Sequence, residues 1–83
     1  MGHKRQIPVR LGEKLKAIRT HLGLTQEKII ERLDFPQIAL KKRNIYRYEK
    51  NLSAPPSVIL LRYARLAGVS ADDLVDDEID LSL

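Results

Sequence analysis

Five basic side chains fall within ten residues near the middle of this 83-residue chain, in the stretch KKRNIYRYEK. They are Lys41, Lys42, Arg43, Arg47 and Lys50. In a helix over this stretch, Ile45 and Tyr48 lie three residues apart and would face inward. Arg43, Arg47 and Lys50 would then form one outward ridge. An α-helix fits the DNA major groove, where arginine and lysine form bidentate hydrogen bonds to guanine. The stretch therefore predicts a helix that binds nucleic acid.

The distribution of charge supports a polyanionic partner. Residues 1–50 contain thirteen Lys or Arg and five Asp or Glu, a net charge of +8. Residues 51–83 contain two Arg and six Asp or Glu, a net charge of −4. A basic half of this kind is typical of proteins that bind nucleic acid. On charge alone, a solvated face that binds nothing remains the alternative.

Composition limits the other classes of function. The length allows one small domain, and the absence of cysteine excludes disulfides and thiolate metal sites. The sequence contains neither a stretch of about 20 apolar residues that could span a bilayer nor the apolar core of a signal peptide. These features predict a soluble, cytoplasmic protein that does not act at a membrane.

Residues that could support catalysis or metal binding are few. His3 and His21 have no partner at the spacing of a metal site. The aspartates at positions 72, 73, 76 and 77 lack the spacing and the glycine of a calcium loop. We therefore expect no enzyme activity, no metal ion and no cofactor.

The spacing of apolar residues predicts two helices in the first part of the chain. The inner side of the first contains Val9, Leu11, Leu15, Ile18 and Leu22. This helix should end at Gly23, and Thr25 should cap the second. The inner side of the second contains Ile29, Ile30 and Leu33.

A third helix is expected at about Lys41 to Lys50, after Pro36 has interrupted the second. Asn44 could instead be its N-cap, in which case the helix is shorter and Lys41 to Arg43 form a basic loop. Asn51 follows the helix, and asparagine tolerates the left-handed conformation that a turn there requires.

Two more helices complete the predicted fold. Pro55 and Pro56 open the fourth, and Gly68 ends it. Its core side contains Val58, Leu60, Leu61, Ala64 and Leu66. Ser70 caps a short fifth helix. The fold class is therefore all-α, a compact bundle of four to five short helices.

Two segments resemble the helix-turn-helix domain of the phage-repressor and Cro-like (XRE) family of transcriptional regulators. They are LGEKLKAIRTHLGLTQEKIIERL and NIYRYEKNLSAPPSVILLRYARLAGVSADDL. The resemblance covers roughly residues 9–75. The resemblance implies that the third helix enters the major groove. We expect a basic N-terminal arm at residues 1–8, a DNA-binding domain at residues 9–76 and a short acidic tail at residues 77–83. The composition of this tail predicts that it is loosely held.

The family's functional positions map onto this sequence residue by residue. The residues implied to contact base edges are Lys42, Arg43, Arg47 and Tyr46; phosphate contact alone is the alternative reading for the basic ones. The residues implied to contact phosphates are Gln26, Lys41 and Lys50. Arg19 and Glu49 match a structural Arg–Glu pair that links the first helix to the third.

The sequence departs from the family between the second and third helices. Ile30 and Asp34 stand where the family has a small residue and glycine, and the connection is about five residues longer than its norm. The loop Asp34 to Leu40 should absorb this length, with Phe35 and Ile38 tucked beneath it.

These features predict a sequence-specific binder of double-stranded DNA, a small regulator that acts as a repressor. The resemblance implies a homodimer on DNA, and we expect its apolar contact around Leu74, Val75 and Ile79. The alternative is an antitoxin-type or other protein-interaction module, with a toxin or co-regulator as partner and DNA binding secondary.

Overall fold

A computed structural model describes residues 7–83 and contains five helices in that range. They are α1 (Leu11–His21), α2 (Gln26–Leu33), α3 (Lys42–Glu49), α4 (Ser57–Ala67) and α5 (Ala71–Val75). The described residues contain no strand, so the predicted all-α fold is confirmed. None of these helices is long and apolar enough to cross a membrane.

Every helix contributes buried side chains to a single core. The fully buried members include Leu11, Leu15, Ile18, Ile29, Leu33, Ile45, Ile59, Tyr63 and Leu74. Tyr48 is also buried, so both apolar positions predicted for α3 face inward. α3 packs against α1 and α2, which fixes which of its faces points to solvent.

The helix ends follow local sequence signals. The Thr25 hydroxyl accepts a hydrogen bond from the Lys28 amide at 3.1 Å, and the Ser70 hydroxyl accepts one from the Asp73 amide at 3.3 Å. Asn51 has φ 57°, in the left-handed region, and stops α3. The predicted caps and this predicted turn are confirmed.

The core side predicted for α4 is partly wrong. Ile59 and Tyr63 are fully buried, whereas Val58 and Leu61 are exposed. Four consecutive apolar residues at positions 58–61 give no helical phase, so the sequence could not show which of them faces inward. Val9 was also expected on the inner side of the first helix, but it precedes α1 and is 78% exposed.

The expectation of a loosely held tail is wrong. The Asp77 carboxylate accepts hydrogen bonds from the amides of Val9 and Arg10, each at 2.9 Å. Arg10 also forms an ion pair with Asp80 at 2.7 Å, and Leu81 packs against the core. The tail therefore closes over the start of α1. Of the predicted arm at residues 1–8, positions 1–6 lie outside the described residues.

Lys14 makes a second contact between the two ends of the chain. Lysine is rarely buried in proteins, but Lys14 is only 2% exposed. Its ammonium donates to the carbonyls of Asp73 and Asp76, each at 2.7 Å. A cation is favourable at these carbonyls because the C-terminal end of a helix carries partial negative charge.

Candidate nucleic-acid interface

The start of α3 is defined by its first turn. Lys41 is the N-cap, in an extended conformation, and its amide donates to the Asn44 side-chain oxygen at 2.8 Å. The Lys41 carbonyl accepts from the Asn44 amide at 2.9 Å and from the Ile45 amide at 3.3 Å, and the second of these is the first hydrogen bond of α-helical spacing. Asn44 is therefore the third helical residue and not the N-cap. Lys42 and Arg43 lie on the helix, not in a basic loop.

One face of α3 is occupied by exposed basic side chains. We call Lys41, Lys42, Arg43, Arg47 and Lys50 the basic face; all five are exposed. Tyr46 lies among them, and the Lys50 ammonium is 5.8 Å from the centre of its ring, within range of a cation–π contact. Arg47 donates weakly to the Leu52 carbonyl at 3.4 Å, which leaves most of its guanidinium donors free.

No carboxylate of the described residues compensates this charge. Among residues 7–83, no side chain of the basic face forms an ion pair. Glu49, the one acidic residue of α3, points toward α1 instead of toward the basic face. Lys41, Lys42 and Arg43 also lie at the N-terminal end of the helix, where its dipole disfavours cations.

A buried ion pair fixes α3 to α1. Arg19 and Glu49 form two hydrogen bonds, from Nε at 2.6 Å and from Nη2 at 3.0 Å. Their side chains are only 13% and 4% exposed. The bond to Glu49 raises the pKa of Arg19, so this guanidinium stays charged. A third donation, to the Leu24 carbonyl at 3.0 Å, ties the same guanidinium to the segment before α2.

Gln26 joins this pair at the first residue of α2. Its side-chain nitrogen donates to Glu49 at 3.2 Å, which places it beside the C-terminal turn of α3. One N–H of its amide remains for another acceptor. The first-turn backbone amides of α2 are also oriented toward any anion that approaches there. Gln26 thus contacts Glu49, the residue that directly precedes Lys50 in the chain.

A family model described as a helix-turn-helix domain matches residues 12–78. The chain belongs to the helix-turn-helix domain family. This domain is found in XRE-like regulators, which confirms the resemblance inferred from the sequence. Comparisons with curated proteins and with solved structures gave no match.

The turn of this helix-turn-helix is long but ordered. Residues 34–41 connect α2 to α3, whereas about three or four residues are usual. The Ile38 amide donates to the Phe35 carbonyl at 3.1 Å, and the Leu40 amide to the Ile38 carbonyl at 2.9 Å. The side chains of Phe35, Ile38 and Leu40 pack against the core, as expected for Phe35 and Ile38. The Arg62 guanidinium also lies 5.4 Å from the centre of the Phe35 ring.

Asn51 holds the helix-turn-helix to the start of α1, a role that the sequence did not reveal. Its side-chain oxygen accepts from the Gly12 amide at 2.8 Å, and its nitrogen donates to the Pro8 and Val9 carbonyls at 3.0 and 2.8 Å. A Cβ at Gly12 would lie 2.6 Å from the Glu49 carbonyl oxygen, so only glycine allows this close approach. The left-handed turn at Asn51 was predictable, but its long-range partners were not.

The acidic side chains of α5 and the tail form hydrogen bonds and ion pairs of their own. Within residues 7–83, no three His, Asp or Glu side chains come together in a way that could hold an ion. The aspartates of α5 and the tail instead cap helices and pair with Arg10.

Proposed function

We propose that this helix-turn-helix domain binds double-stranded DNA sequence-specifically as a small transcriptional regulator, with α3 in the major groove. The observation that carries the proposal is the basic face. It presents five exposed cations on and beside one helix whose opposite side is held by Ile45 and Tyr48 in the core. DNA phosphates would supply the negative charge that the described residues do not.

The local energetics favour a functional origin for this charge. Arg43 and Arg47 lie four residues apart on α3, a spacing at which like charges repel. Cations in the first turn of a helix add a further unfavourable term with the dipole. Departures of this kind from local stability rules are expected where a surface serves a partner.

Each residue of the interface has a proposed role. For base edges we propose Lys42, Arg43, Arg47 and Tyr46. For phosphates we propose Gln26, Lys41 and Lys50. The Gln26 position combines a free side-chain N–H with the N-terminus of α2, which suits a phosphate oxygen. Arg43 and Arg47 lie on successive turns of the exposed side of α3 and suit contacts to neighbouring base pairs.

We propose that two copies bind one DNA site. A single short helix in the groove buries little surface, and dimers of such domains place their recognition helices about 34–36 Å apart, one turn of DNA. The dimer surface expected around Leu74 needs revision because Leu74 is fully buried in the core. Val58 and Leu61 are exposed three residues apart on α4 and offer an apolar face instead.

Repression is the proposed outcome, because a dimer that occupies a promoter excludes other proteins from the same groove. The competing function is an antitoxin-type module that acts through a protein partner. In that case the basic face would have little role in sequence recognition.

Selection of duplexes from a random library tests the proposal. The wild-type domain should enrich a site with two similar halves. A variant with Arg43 and Arg47 both replaced by alanine should enrich none, while its thermal unfolding remains close to that of the wild type. Failure of the folded wild-type protein to enrich any sequence would contradict sequence-specific binding and favour the protein-interaction module.

A further inference from the structure

The tip of the long turn between α2 and α3 exposes one polar side chain, that of Gln37. Phe35 and Ile38 anchor its two sides, and the hydrogen bond between their backbones closes a four-residue turn with Pro36 and Gln37 at its tip. Proline at the second position of such a turn is favourable because its φ is already fixed. Pro36 and Gln37 are both exposed.

Gln37 lies close in sequence to the first turn of α3. It precedes the N-cap Lys41 by four residues, so the two Cα atoms can be at most about 14 Å apart even in a fully extended chain. Base pairs are stacked about 3.4 Å apart, so this reach covers about four of them. With α3 in the groove, the tip of the turn comes close to DNA that lies just beyond the helix.

The chemistry of the tip suits hydrogen bonding more than charge attraction. A glutamine amide contains both a donor and an acceptor, and it pairs in a bidentate manner with the N6 and N7 atoms of adenine. Residues 34–40 carry a single charge, that of Asp34. The turn would therefore add little to the electrostatic attraction for phosphates.

We infer that Gln37 is a further specificity-determining residue, which contacts a base pair just outside those reached by α3. The inference rests on the proposed function, since it requires α3 in the major groove. The long turn would then contact a base pair in addition to connecting α2 to α3. The anchoring of Phe35, Ile38 and Leu40 supplies the rigidity that a positioned hydrogen bond needs.

The test compares duplex selection by the full chain and by Gln37→Ala. Ser82→Ala is the control, because Ser82 is also uncharged and exposed but lies in the tail. Gln37→Ala should lose preference at one base pair of each half-site by about 5- to 150-fold. That base pair should differ from the one relaxed by Arg43→Ala, and the salt dependence of binding should not change.

The outcomes separate this inference from the proposed function. If the wild type enriches a site and Gln37→Ala keeps every base preference, the inference is wrong and the proposed function stands. An equal loss on all duplexes would also overturn it, because such a loss indicates a backbone contact. If the folded wild type enriches no site, the proposed function and the inference about Gln37 are both wrong. The melting curve of Gln37→Ala should match that of the wild type, which checks that the variant is folded.

Discussion

At the residue scale, Glu49 links three parts of the helix-turn-helix. It lies at the end of α3 and accepts two hydrogen bonds from Arg19 of α1. It also accepts one from Gln26 of α2. Because its side chain is 4% exposed, loss of the carboxylate would leave the Arg19 charge without its buried partner. The orientation of the basic face therefore depends on a residue that does not belong to it.

Glu49→Ala should destabilise the domain strongly. Breaking a buried ion pair by removing one partner costs about 3–5 kcal/mol of the free energy of unfolding. In a domain of this size, that lowers the melting temperature by at least about 12 °C, measured by circular dichroism. Glu31→Ala is the matched control, since the Lys28–Glu31 pair is 3.6 Å apart and its side chains are 65% and 69% exposed. The control should change stability by about 0–1 kcal/mol. If both variants melt at similar temperatures, the Arg19–Glu49 pair contributes no more to stability than a surface ion pair.

Tyr63 should tolerate the loss of its hydroxyl. The side chain is fully buried, and its hydroxyl oxygen has no hydrogen-bond partner among residues 7–83. Burial also raises the pKa of Tyr63, so the group stays protonated. A buried polar group without a partner costs about 1–3 kcal/mol, so Tyr63→Phe should raise the free energy of unfolding in a urea titration. Tyr46→Phe, at an exposed position, should leave it nearly unchanged. A less stable Tyr63→Phe would show that the hydroxyl has a partner in solution, such as water.

At the element scale, the tail acts as the cap of α1. The Arg10 and Val9 amides donate to Asp77, and these bonds lower the pKa of Asp77 below its ordinary value of 3.8. The positive charges of Lys14 and Arg10 act in the same direction, and Asp80 pairs with Arg10 beside it. A carboxyl with a lowered folded-state pKa contributes stability above its unfolded pKa and loses that contribution as pH falls through its folded pKa.

Asp77→Asn should therefore melt at a lower temperature than the wild type at neutral pH, and the difference should shrink as pH falls below about 4. Thermal unfolding followed from neutral pH to about pH 2 measures both effects. Glu78→Gln removes the same charge from the exposed neighbouring residue and should show no such pH-dependent difference. A difference between Asp77→Asn and the wild type that persists at the lowest pH would contradict the capping role.

Sequence reasoning succeeded where local signals determine structure and failed where distant contacts do. Residues within one helical turn determine three features that were predicted correctly. These are the inward side of α3, the caps at Thr25 and Ser70, and the turn at Asn51. The burial of Lys14 depends instead on carbonyls about sixty residues away in sequence. The docking of the tail likewise depends on distant residues, because Asp77 accepts hydrogen bonds from the amides of Val9 and Arg10. The four apolar residues at the start of α4 show no helical periodicity, so which of them face inward depends on how the neighbouring helices pack.

At the scale of the whole molecule, α4 provides the surface proposed for dimerisation. Leu61→Lys should abolish cooperative binding to a two-part site, because a charge would then lie in an apolar contact. Val75→Lys is the matched control, since Val75 is 40% exposed, close to the 44% of Leu61, but lies on α5. Analytical ultracentrifugation of each variant with a two-site duplex measures the stoichiometry. Loss of the two-copy complex with Val75→Lys and not with Leu61→Lys would move the interface to α5.

The measurement that tests the central claim most directly compares Arg47→Ala and Lys50→Ala on the preferred duplex and on a scrambled one, at several salt concentrations. If Arg47 contacts a base, its loss should cost about 1–3 kcal/mol of binding free energy on the preferred duplex and much less on the scrambled one. If Lys50 contacts a phosphate, its loss should weaken both duplexes alike and reduce the slope of log affinity against log salt by about 0.9. Equal losses on both duplexes for Arg47→Ala would contradict base reading by Arg47. Unchanged binding by both variants would contradict the placement of α3 in the groove.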